Sequence, residues 1–164
     1  TAARYAKWRE VMPQSVSWQQ EVMASAKRGQ LRNPFGRARL FSGGAGGPAA
    51  VAVVTQSTAA DILHRAMIGL LWEQIGWPRL AAEKVVRQAR PLPQSAHIIA
   101  QVHDELLGEC PREVLDEVME TLREVMTQPW PELKSELTPD GLAIPVSLCW
   151  SENSWGEMEI YNGK

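Results

Sequence analysis

The sequence predicts an α+β fold, with helices packed on a small antiparallel sheet built around a β-hairpin. Three observations carry that expectation. Ala49 to Trp77 and Arg112 to Thr127 repeat apolar residues at intervals of three and four, as helices do when they bury one broad face. Ile98-Ile99-Ala100-Gln101-Val102 and Leu106-Leu107-Gly108-Glu109-Cys110 read as short strands on either side of His103-Asp104-Glu105, which places that polar triplet at a hairpin tip. Further upstream, Pro34 and Gly36 mark a turn between two short extended arms within Gln30 to Phe41.

At 164 residues the chain has room for one ordinary core, so one domain or one part of something larger is expected. A hydrophobic content of 45% and seven Trp fit a packed piece rather than a disordered tail. Its apolar runs break well short of the ~20 residues that span a bilayer, and no charged start with a small-residue cleavage site is present. The expectation is a soluble, cytoplasmic protein without a membrane partner. Cys110 and Cys149 have no CxxC or HxH neighbour, so they carry no zinc signature and read as reduced, buried thiols. The net charge of -2 conceals an asymmetry. Residues 1–41 hold Arg4, Lys7, Arg9, Lys27, Arg28, Arg32, Arg37 and Arg39 against Glu10 and Glu21, whereas residues 101–164 hold fourteen acids against four bases. A basic arm joined to an acidic half suits a protein that grips phosphate with one part and cations with the other.

In chain order, Ala2 to Met12 and Ser15 to Arg28 show helical spacing on either side of Pro13, which fits the start of the second helix. Val16, Gln19, Gln20 and Met23 lie near one stripe, Ser15 or Gln14 suits the cap, and Gly29 stands where a C′ residue ends a helix. Trp8 and Trp18 are expected as core anchors rather than stacking platforms. Arg32, Arg37 and Arg39 decorate the first hairpin, an arrangement that suits phosphate contacts and equally a solvated basic turn. Residues 42–48 form a flexible Gly-rich linker by composition, with no Gly-Lys-Ser/Thr to make a phosphate-binding loop.

Ile62, Leu63, Ala66, Met67, Leu70, Leu71 and Ile75 define the buried face of the long helical segment. The β-branched Val51, Val53 and Val54, with Ser57-Thr58 able to cap a fresh start, predict a break near Thr55. Leu80 to Arg90 reads as an exposed helix that Pro91-Leu92-Pro93 stops. After the second hairpin, Pro111 fits a helix N1 position, Val114, Leu115, Val118, Leu122 and Val125 point inward, and Glu113, Asp116 and Glu117 complement the helix dipole. Gln128 to Gly141 reads as an excursion, and Ile144 to Trp150 as a strand that Pro145 confines to an edge.

The chemistry concentrates at the second hairpin tip. Two-residue hairpin loops favour Asn-Gly or a similar pair that takes positive φ, and His-Asp-Glu does not meet that demand. Carboxylates at a tip near solvent can hold a hard cation. Mg2+ is usually held by one or two carboxylates together with substrate phosphates and water, so a lone tip carboxylate is half a site. Adjacent residues in extended chain face opposite ways, which assigns the metal to Asp104 and a supporting role to Glu105. By composition alone, the same acids also fit a solvated surface turn.

Gln101-Val102-His103-Asp104-Glu105, followed by Leu106-Leu107 and then Glu109-Cys110-Pro111, resembles motif C of the family A DNA polymerases, the bacterial polymerase I and phage replicative group. Upstream and in the right order, Gln56 to Leu63 (QSTAADIL) resembles the QGTAADI segment of that family, and Gly29 to Arg39 resembles its Gly-x-Leu-Arg-Asn-Pro-Phe-Gly-Arg-x-Arg. The ending Ser151 to Trp155 is similar to its closing Gly-x-Asn-Trp with one extra residue. The likeness spans nearly the whole chain. It implies a carboxy-terminal portion in which 1–41 is a basic helical segment and hairpin from the fingers, 42–48 a linker, and 49–164 part of the palm, with insertions near 78–94 and 128–142.

By that resemblance Asp104 is a ligand of Mg2+, Glu105 its acidic catalytic neighbour, and His103 a contact to the primer terminus. Gln56 touches the minor-groove edge, Arg32, Arg37 and Arg39 bind the primer-template, and dNTP is the substrate. The sequence also departs from the family. Nothing resembles motif A, so the second aspartate is missing, as is the helix whose Lys and Tyr grip the incoming nucleotide. The implied partner is therefore an amino-terminal polymerase half, from the same protein or a separate subunit, without which the chain is expected to be inert. Pro48 and Ala52 stand where the family has Arg and Asn, Ser57 replaces Gly, and Thr1 in place of Met reads as a fragment, a processed piece or an engineered boundary. The competing reading is a non-catalytic nucleic-acid-binding or structural remnant. A metal-dependent nuclease is disfavoured, because no second cluster of acids with His occurs in the basic half.

Overall fold

Pro13 shapes the start of the structure, which a computed structural model describes for residues 2–42 and 46–163. Helix α1 (Ala2–Val11) stops before Met12, whose φ of -126° lies outside the helix, and α2 (Pro13–Lys27) begins with the proline itself. A residue ahead of proline is driven from the helical region, while proline at the first helical position loses no hydrogen bond. Arg28 closes α2 and Gly29 follows at φ +102°, the left-handed C′ position the sequence predicts. Among the described residues the architecture is α+β, five α-helices with three two-stranded antiparallel ladders.

The chain divides into two compact units, Thr1–Ala59 and Ala60–Lys164. In the first, β1 (Gln30–Arg32) pairs with β2 (Ala38–Leu40), with Leu31 opposite Arg39. Its core joins Val22 and Ala26 of α2 to Leu31 and Ala50, with Phe41, Val51 and Val54 packed alongside. Trp18 does not anchor that core, since it is 40% exposed, and Trp8 is half-buried and stacks on Tyr5 at 5.6 Å between ring centroids. Burial selects Val22 and Ala26 instead, one and two turns from Trp18 on the face that meets β1. Of the Gly-rich stretch expected as a linker, residues 43–45 lie outside the described residues, and Pro48 already begins the next helix.

Helix α3 (Pro48–Leu71) runs unbroken for 24 residues, contrary to the break expected near Thr55. The hydroxyls that were to cap a new helix turn back into this one. Thr58 Oγ1 donates to the Val54 carbonyl at 2.7 Å, Ser57 Oγ to the same carbonyl at 3.2 Å, and Thr55 Oγ1 to Val51 at 3.3 Å. In the second unit, Ile62, Leu63, Ala66 and Leu70 of α3 are buried as the periodicity requires, while Ile75 is exposed because the helix ends first. The loop after it is tied to the end of α3 and to the turn beyond, with Leu92 N donating to Leu70 O at 2.8 Å and Gln74 Nε2 to Pro93 O and Ala96 O at 3.1 and 2.9 Å.

The helix expected over Leu80 to Arg90 is only one short turn, α4 (Arg79–Glu83). Tertiary bonds replace the helical ones beyond it. Val86 is buried, Val85 O accepts from Arg65 at 3.2 Å, and Gln88 N donates to Gln128 Oε1 at 3.0 Å. Helix α5 (Leu115–Met126) follows a 3-10 turn at Arg112–Val114, and Val118, Met119 and Val125 enter the core. The strand expected over Ile144 to Trp150 shrinks to β5 (Cys149–Trp150), paired with β6 (Glu159–Ile160). Pro145 has no N–H to extend the ladder. Arg112 fastens this ladder to the start of α5, pairing with Glu152 at 2.6 Å and lying 4.2 Å above the Trp150 ring, while Tyr161 donates to Asp116 at 2.7 Å. Cys149 is exposed rather than buried, because two-residue β5 leaves it on an open ladder; Cys110 is half-buried, and burial pushes its thiol up.

Candidate catalytic hairpin and basic arm

Strands β3 (His97–Val102) and β4 (Glu105–Glu109) form the second hairpin, and its loop has two residues, His103 and Asp104. Glu105 therefore belongs to the strand, paired with Val102. A bulge falls between Ile98 and Ala100, leaving Ile99 without a ladder partner and 56% exposed. His103 has φ +55°, and among the described residues it is the one non-glycine with positive φ. His adopts that region more readily than most residues, yet holding it there costs on the order of 1–2 kcal/mol. The sequence missed this strain because the loop lacks a glycine. The strand-side Gln101 amide donates to the His103 carbonyl at 3.3 Å, a bond that sequence reasoning also passed over.

His103, Asp104 and Glu105 are all exposed at this tip. Among the described residues no ion pair or hydrogen bond engages the Asp104 carboxylate, and no group of three or more His, Cys, Asp or Glu is placed to hold a metal. What the tip offers is a pair of adjacent carboxylates, one in the loop and one in the strand, open to solvent.

In the first unit, Arg32, Arg37 and Arg39 are brought together on one hairpin and all are exposed. Asn33 organises its turn, accepting the N–H groups of Phe35 at 3.1 Å and Arg37 at 2.9 Å through Oδ1. Such a side chain mimics a backbone turn, so Asn33-Pro34 was the legible signal. Arg32 donates to the Gly36 carbonyl at 2.9 Å, which uses one of five guanidinium donors. Gln56 lies exposed on α3.

After Trp77, Arg79 and Arg90 are held in ion pairs. Arg90 pairs with Glu124 at 2.7 Å and Glu120 at 3.6 Å of α5, and the Glu124 hydrogen bond holds its guanidinium pKa above the ordinary value. Arg79 pairs with Glu83 at 2.7 Å. No helix among the described residues is long and apolar enough to cross a membrane.

The model of DNA polymerase family A matches residues 3–149. The chain belongs to this family. The match takes in the arginine hairpin, α3 and the His103-Asp104 tip of this family A polymerase chain, and ends at the first residue of β5. Comparisons with curated proteins and with solved structures found no match.

Proposed function

We propose that this chain supplies the motif C hairpin and a DNA-holding arm of a template-directed DNA polymerase, and that it acts with an amino-terminal half carrying motif A. The observation that carries the reading is the open Asp104 carboxylate at a strained two-residue tip, beside Glu105, in a family A chain. Hard oxygen donors of this kind fit Mg2+ as part of a shared site, because Mg2+ takes one or two protein carboxylates and fills its shell with phosphate and water. Bound there, Mg2+ would supply Lewis-acid polarisation of phosphoryl oxygens.

The chain's own residues do the positioning. Asp104 contributes the metal ligand from the loop, and Glu105 adds negative charge from the first position of β4. His103 contacts the primer terminus, Gln56 tests the minor-groove edge of the primer-template with an amide that donates and accepts, and dNTP enters from the missing half. Arg32, Arg37 and Arg39 neutralise phosphates. In this reading 1–41 comes from the fingers, 42–48 links, 49–164 is palm, and the segments near 78–94 and 128–142 are insertions. The setting is DNA replication or repair in a bacterial or phage-infected cell.

Primer extension tests the proposal directly. Extension with Mg2+ is expected when the amino-terminal half is added, and none from either part alone. A non-catalytic binding remnant is the second reading, favoured by an arginine arm that is complete within this chain while the acidic tip is half a site. DNA binding without extension in the complemented mixture would establish that second reading. For the arm, Arg37→Ala with Arg39→Ala is expected to weaken duplex binding at all sequences alike. Every phosphate that the variant no longer neutralises should reduce the slope of log affinity against log salt by about 0.9. An unchanged slope in a salt titration would remove these residues from the interface.

A further inference from the structure

Trp18 is a large aromatic side chain left 40% exposed beside a cleft of about 430 Å³ in the first unit. That volume falls within the ~300–1,000 Å³ of sites that take small molecules or parts of them. Val22 of α2, Leu31 of β1 and Val54 of α3 line one part of it beside the indole, and Ser25, Gln30 and Asn33 give the rest a polar lining. Arg32 lines the same cleft, on the hairpin that also carries Arg37 and Arg39. An exposed aromatic beside apolar side chains, next to a hairpin that carries cations, is the combination with which proteins hold single-stranded nucleic acid, stacking a base while the backbone runs along positive charge.

We propose that this cleft takes an unpaired nucleobase of a DNA strand, stacked on Trp18, with the adjoining phosphates held by Arg32 and the arginines of the hairpin. The inference rests on the DNA-binding reading above and adds to it a specific place for a single strand. Charge complementarity selects the occupant, since residues 1–41 carry eight basic residues against two acids. Glu21 also lines the cleft, so the strand's phosphates lie on the Arg32 side. Stacking does not read sequence, so any of the four bases is accepted there.

The test uses the whole chain and three fluorescein-labelled probes followed by anisotropy: a blunt duplex, an oligo(dT) strand, and an abasic strand of the same length. The abasic strand keeps every phosphate and offers nothing to stack. Wild type is expected to bind oligo(dT) more tightly than the abasic strand, by roughly 5- to 150-fold for one stacked base. Trp18→Ala should erase that difference and leave duplex binding unchanged, and Trp18→Phe should retain most of it. Equal binding of oligo(dT) and abasic strands by wild type overturns the proposal without any variant, as does a Trp18→Ala protein that still tells them apart. If none of the three probes binds, the DNA-binding reading falls as well. Duplex binding without discrimination sinks the stacking cleft alone.

Discussion

Asp104→Ala is expected to lower primer extension by about a thousandfold or more in the complemented enzyme while leaving DNA affinity within experimental scatter. The size follows from the role proposed for the carboxylate. A bound metal contributes several kcal/mol of charge stabilisation at the reacting phosphoryl group, and each 1.36 kcal/mol is about tenfold in rate. The same substitution should leave the fold intact. Asp104 is exposed, and among the described residues it makes no ion pair or hydrogen bond, so its removal costs the structure about 0.5 kcal/mol or less. Extension assays at saturating DNA, with circular dichroism as a control, separate these effects. Extension that survives in Asp104→Ala would withdraw the metal assignment. A parallel loss of rate and helical signal would instead point to misfolding, and Asp104→Asn would then carry the test.

Trp130→Ala should be the most damaging single change to stability. Among the described residues Trp130 is the largest fully buried side chain, 2% exposed, although it lies between Pro129 and Pro131 in what reads as a loop. Truncating a buried Trp costs about 3–5 kcal/mol, against a total of ~5–15 kcal/mol for a typical domain. Its backbone is held as well, with Trp130 N donating to Leu142 O at 3.1 Å and Leu133 N to Trp130 O at 2.9 Å. Gly141→Ala should act on the same point, since Gly141 has φ +110° and an added Cβ would collide with the Trp130 carbonyl. Urea unfolding followed by circular dichroism would register both. A Trp130→Ala protein within about 1 kcal/mol of wild type would show that this segment is not packed as described.

How much was legible in the sequence follows from how far each signal reaches along the chain. The arginine hairpin was readable because Asn33, Pro34 and Gly36 set the turn within four residues. The buried face of α3 was readable from its period, and so was the proline boundary between α1 and α2. Continuity of α3 through Thr55 was not, because a Ser or Thr hydroxyl serves a cap or bonds back to its own helix, and the choice depends on packing at Val51 and Val54. The short turn that replaces a helix over Leu80 to Arg90, and the burial of Trp130, escaped the sequence for the opposite reason. Val86 and Trp130 find their places through long-range bonds such as Gln88 to Gln128 and Trp130 to Leu142, which no local pattern announces. At the tip, the position of His103-Asp104-Glu105 was readable from the flanking strands. The left-handed backbone of His103 was not, since the residue type alone gives it only a modest preference.

The line between the two compact units falls inside α3, dividing its 24 residues in half. Isolated helices shorter than about 12–15 residues are marginal in water, so each half owes its shape to burial in its own unit, through Ala50 and Val54 in the first and Ile62, Leu63, Ala66 and Leu70 in the second. A protease cut or a chain terminus placed at that line would leave twelve helical residues on each side that persist only while those contacts do.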